Sequence, residues 1–215
     1  MLGLLLLNVV AFIYELGVGG ASGNTSALDA LFFSAGVIPV EFLHGQLPGT
    51  PAPPLGLEWT TLFTSMFLHA GFLHIASNML YLFIFGDNVE DRLGHFRFLV
   101  FYFLCGIVAG LTHIAVNTYS AIPSIGASGA IPGVLAAYLR LFPHAQVRTL
   151  LFLGPFILVP RIAAAFLIIF WFATQFFTGI MSLGATTDMT AGVAVWAHVG
   201  GFVAGLILVT LMRPR

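Results

Sequence analysis

Long apolar stretches alternate with gaps along this chain, and all seven arginines fall in every second gap. There is no lysine. A stretch near the ~20 residues that cross a bilayer predicts a helix, because a helix satisfies its own backbone in hydrocarbon. Six such stretches are read, at about 1–17, 72–92, 96–117, 127–142, 162–181 and 192–212, within one membrane domain covering residues 1–215. Composition agrees: 59% of residues are hydrophobic, 7% are charged, and the mean hydropathy is +1.03. Soluble domains carry roughly one-quarter charged residues. The predicted fold class is therefore an all-α integral membrane protein, a six-transmembrane-helix bundle with a long interfacial first loop and a short fourth helix. No nucleic-acid partner is expected of such a chain.

The arginines also orient the bundle. Arg92 and Arg97, then Arg140, Arg148 and Arg161, then Arg213 and Arg215 share one side, which the positive-inside rule makes cytoplasmic together with both termini. Glu15, Asp29, Glu41, Glu58 and Asp188 take the external side. Residues 1–16 lack the basic start and small-residue cleavage site of a signal peptide, so they read as a first span. Residues 17–71 combine Gly and Pro with Leu31, Phe32, Phe33 and Trp59, a long apolar loop suited to the membrane interface. The stretch from Pro143 to Arg161 reads as amphipathic or irregular.

Helical rise converts distance from an arginine into depth, at about 1.5 Å per residue. Ser128 lies roughly 18 Å above Arg140, Asn78 roughly 21 Å above Arg92, and His198 roughly 22 Å above Arg213. His74 is one turn higher than Asn78. Polar groups from three helices thus meet in one layer beneath the external face of a core ~30 Å thick. The fourth helix is too short to span, so residues 119–126 dip inward as irregular backbone, which is tolerated only when buried or wet. Ser128 then sits near a helix N-terminus, where free N–H groups and the dipole favour developing negative charge. Ser128 with His198 supplies the nucleophile and general base of acyl transfer. Asn78 and His74, spaced i to i+4 on one face, are side-chain donors for an oxyanion beside the Ser128 backbone N–H. No carboxylate stands close to His198 in sequence, so a dyad is expected rather than a triad.

At these residues the chain resembles the rhomboid intramembrane serine proteases over nearly its whole length. Gly126-Ala127-Ser128-Gly129 is similar to the family's nucleophile motif, and Ala197-His198 followed by Gly201 and Gly205 to its base-bearing helix. His74 and Asn78 match its oxyanion pair, His69 the histidine before it, and Gly86, Glu90 and Gly94 its Gly-x-x-x-Glu-x-x-x-Gly run. The resemblance implies cleavage of single-span transmembrane proteins within the bilayer, through an acyl-enzyme and with no cofactor. Two features depart from it. The first loop has no Trp-Arg motif, and Pro132 stands where some members carry a tyrosine that stacks on the histidine. Trp196 or Phe202 is the expected replacement in orienting His198.

Competing readings are a catalytically inactive relative that binds client helices, or a small transporter with a polar pocket. A metal site is disfavoured, because only His69 and His74 of the seven histidines are close in sequence and no Cys, Asp or Glu stands beside them in ligand spacing. Gly201 and Gly205, spaced GxxxG, read as a close helix contact. Glu90 with Arg92 reads as a structural cap, and His113 with Asn117 as a local hydrogen bond. Cys105 reads as lipid-facing or as a packed small hydrophobe. The aromatic residues Phe170, Trp171, Phe172, Phe176 and Phe177 read as lipid-facing surface.

Overall fold

The computed structural model describes residues 1–22, 25–154, 156–183 and 194–212. Helix α1 spans Leu2–Ser22, longer than the expected 1–17. The connection that follows is not a plain loop. It contains α2 (Thr25–Ala35), α3 (Pro39–His44) and the short α4 (Thr61–Thr64). Proline opens α3, where its missing N–H costs nothing, and Gly45 at φ 89° closes it. Helices α5 (Phe72–Leu93) and α6 (His95–Val116) are joined at Gly94, whose φ of 81° ends the first helix as the second begins.

A one-turn 3-10 segment at Ala127–Gly129 leads into α7 (Ile131–Leu141), with Pro132 in its first turn. The remaining helices are α8 (Ala164–Ser182) and α9 (Val195–Leu211). Between α7 and α8 the expected amphipathic or irregular stretch is instead a β-hairpin of strands β1 (Gln146–Arg148), β2 (Leu151–Leu153), β3 (Phe156–Leu158) and β4 (Arg161–Ala163). β1 pairs with β4 and β2 with β3, both antiparallel. Asp188, Arg213 and Arg215, and the expected start of the last span at residue 192, lie outside the described residues.

Among the described residues, three helices are long and apolar enough to cross a membrane: Leu2–Gly19, His95–Val116 and Ala164–Ser182. A fourth is reached if Glu58–Phe67 and Phe72–Leu93, bent by 85°, form one span. Ala127–Leu141 and Val195–Leu211 are shorter apolar helices. The short α7 is the hub: every residue from Ile131 to Tyr138 is buried, packed among Phe98, Phe101, Tyr102 and Cys105 of α6 and Phe202 of α9. Cys105 is fully buried, which selects its packed reading. Outward-facing Phe166, Ile169, Phe170 and Phe177 of α8 leave a broad apolar surface of the kind lipid covers.

Candidate active site

Small residues bring the site's elements together. A Cβ at Gly201 would collide with the backbone oxygen of Gly129, and one at Gly205 with the backbone of Gly133. A Cβ at Gly133 would meet Cys105 Sγ at 2.5 Å and the Gly201 oxygen at 3.0 Å. The α9 backbone therefore rests on the turn that carries Ser128 and on α7, and any side chain at the contact would push them apart.

The irregular segment before Ser128 is satisfied by the first connection. Val37 and Ser124 exchange backbone hydrogen bonds at 3.0 and 2.8 Å, Val40 N–H donates to Ser120 O at 3.0 Å, and Gly126 N–H donates to Ser65 O at 2.8 Å. The folded pieces of the connection thus supply what unpaired backbone requires. They also fix Gly126 at φ 121°, in the left-handed half of conformational space that favours glycine.

That glycine is the crowded point of the site. A Cβ there would lie 2.7 Å from His74 Nε2, 2.8 Å from His74 Cε1 and 3.5 Å from Ser128 Oγ. The Ala70 N–H donates to His74 Nδ1 at 3.4 Å. An accepting Nδ1 leaves the proton of a neutral ring on Nε2, the atom beside Gly126. Asn78, one turn further along α5, is buried, and its amide nitrogen has no hydrogen-bond partner among the described residues. A cavity of about 30 Å³, lined in part by Ser65, Ser124, Gly126, Ser128 and Ala197, opens at this point. It is large enough for one or two waters.

His198 is buried on α9, and its orienting contacts are not the expected ones. Gln175 Oε1 of α8 lies 2.7 Å from His198 Nδ1, and the Trp171 ring sits 5.7 Å away at 38°. Trp196 instead packs on Gly179, and Phe202 stacks on Phe172 at 4.1 Å. With the Nδ1 proton given to Gln175, Nε2 carries the ring's lone pair. Trp171 and Phe172, expected to face lipid, are half-buried for these reasons, while Phe170 and Phe177 are exposed as expected. Sequence reasoning missed Gln175. The available signal was a lone amide within a long apolar helix, one turn from a tryptophan.

The surrounding polar groups have local partners. His69 is buried, its backbone N–H donating to both oxygens of buried Glu15 at 3.1 and 3.2 Å, which ties α1 to the turn before α5. Glu90 accepts from the Met1 amino group at 2.5 Å and pairs with His95 Nδ1 at 3.1 Å, while the Arg92 guanidinium lies over the Phe142 ring. Gly86 packs against Leu82 and Met1. Asn117 Nδ2 reaches His113 Nδ1 at 3.2 Å and donates to the His113 carbonyl at 3.0 Å, the local pairing expected of them.

A helical membrane bundle with a serine and a histidine on neighbouring, glycine-packed helices is the class of protein this defines. The chain belongs to the rhomboid family: the Rhomboid domain model matches residues 56–215. It is 35% identical over 113 residues to the putative rhomboid protease YdcA of Bacillus subtilis, covering 51% of this chain and 54% of that one. It is 29% identical over 157 residues to Rhomboid-like protein 11, chloroplastic, of Arabidopsis thaliana, covering 72% of this chain and 52% of the relative. Inactive RHOMBOID-like protein 8 of the same plant is 33% identical over 147 residues, 62% of this chain and 41% of the relative. The chain spans about half the length or less of these relatives.

Proposed function

We propose that this chain is an intramembrane serine endopeptidase that cleaves single-span transmembrane proteins through a Ser128–His198 dyad. The supporting observation is the close packing at Gly126, where an added Cβ would lie 2.7 Å from His74 Nε2 and 3.5 Å from Ser128 Oγ, beside the small cavity that Ser128 lines. His198 Nε2 removes the Ser128 proton as Oγ attacks the scissile carbonyl. The tetrahedral oxyanion accepts hydrogen bonds from His74 Nε2, Asn78 Nδ2 and the Ser128 backbone N–H. His198 returns its proton to the leaving amine, which breaks the C–N bond and leaves an acyl-enzyme. Water attacks this ester, with His198 again as base, and restores the serine.

Gln175 takes the part that a carboxylate plays in a triad, holding the imidazole in the tautomer with a free Nε2, without placing a charge in the membrane. Six spans, with both termini cytoplasmic and the site opening to the external face, complete the reading. Gly126, Gly201, Gly205, Glu90, Arg92 and His69 act as structural support.

Incubating the purified full chain with a model single-span substrate tests it. Cleavage by the wild-type chain and none by Ser128→Ala is the expected result. A folded wild-type chain that binds the substrate without cleaving it would establish the inactive, client-binding reading instead. One relative, Inactive RHOMBOID-like protein 8, carries that reading in its name.

A further inference from the structure

We propose that the β-hairpin between α7 and α8 is a membrane-surface device that docks on anionic lipid. The proposal rests on the chain's being embedded in a bilayer and is independent of its catalysis. The pairs Arg148↔Arg161, Leu151↔Leu158 and Leu153↔Phe156 belong to one continuous register, bridged by the Thr149 N–H to Pro160 O hydrogen bond at 3.0 Å. Side chains alternate along a strand, so one face of the hairpin presents Arg148 and Arg161 at its base, then Leu150 with Val159, then Phe152 with Ile157. All six are exposed. Between the two arginines the sequence holds no charge at all.

Two arginines directly opposite each other repel unless an anion lies between them. Among the described residues no carboxylate pairs with either, and no Asp or Glu stands between Asp91 and Asp188 in sequence. The partner must therefore bring negative charge at the hairpin base and apolar substance at its tip, roughly 13 Å further along at ~3.3 Å per residue. The surface of an anionic bilayer has that profile, phosphates outside and acyl chains within. The unpaired outer edges of a two-stranded hairpin forbid immersion in dry hydrocarbon, so it lies in the interface, with the tip among the outer acyl carbons. Its base is fixed to the bundle by the Ala164 N–H to Ala145 O bond at 2.9 Å and by Val147 packed on the core.

The test places an environment-sensitive fluorophore on Phe152→Cys in the full chain, where Cys105 is fully buried and does not compete. The protein is held in nanodiscs of phosphatidylcholine, alone or mixed with phosphatidylglycerol, and compared with detergent. Blue-shifted emission, quenching by nitroxide-labelled acyl chains and protection from acrylamide are expected, all stronger with phosphatidylglycerol. Arg148→Gln with Arg161→Gln removes that preference, at about fivefold in the docking equilibrium per arginine. A label as open to acrylamide in either nanodisc as in water would overturn the proposal. So would an undiminished phosphatidylglycerol preference in the double variant, or protection that appears only on adding a soluble protein extract.

Discussion

Gln175 of α8 and His198 of α9 meet through a 2.7 Å hydrogen bond between the amide oxygen and Nδ1, so the two helices share the task of presenting the imidazole. Replacing Gln175 by Met keeps the length and loses the acceptor. Turnover is expected to fall roughly ten- to a hundredfold, the cost of leaving a buried donor unpaired, with KM unchanged. Steady-state kinetics checks this, and an unaltered kcat refutes the positioning role.

Loss of an oxyanion donor acts on the transition state alone. Asn78→Ala and His74→Ala are therefore expected to fold normally and to lower kcat by roughly 10²–10³ each, with little change in KM. If Asn78→Ala raised KM with kcat intact, Asn78 would be a substrate contact instead.

The glycine contacts give a stability prediction with an internal control. Gly201→Ala and Gly205→Ala push a methyl group into backbone, which helix propensity cannot repay, and overpacking of this kind costs about 1–3 kcal/mol. Gly17→Ala meets nothing within 4 Å and lies inside α1, so it is neutral or stabilising by up to ~1 kcal/mol. Thermal unfolding in detergent ranks the three. Equal midpoints for Gly201→Ala and Gly17→Ala would contradict the packing account.

Hydrolysis by this route consumes only water, so EDTA is expected to leave the cleavage rate unchanged. Activity lost to EDTA and restored by zinc would reopen the metal reading.

Helix positions were legible in the sequence because hydropathy is written in runs of about twenty residues, and α5, α6 and α8 fall within a few residues of their expected limits. The hairpin was not, because Leu150 to Val159 is apolar on both faces and shows no period of two. The helices of the first connection were hidden by its prolines and glycines, although those residues start and stop α3 rather than abolish it. Ser128, His198, His74 and Asn78 could be nominated from depth and resemblance. Gln175 was missed although a lone amide in an apolar helix is a signal, because its contact with His198 depends on the packing of α8 against α9 and its neighbours read as a lipid face.

The central claim, that Ser128 is a nucleophile activated by His198, is tested most directly by mass spectrometry after treatment with a serine-reactive phosphonate. The account predicts one adduct, on Ser128, in the wild-type chain and none in a folded His198→Ala variant. An adduct on another residue, or labelling of Ser128 at the same rate without His198, would contradict it.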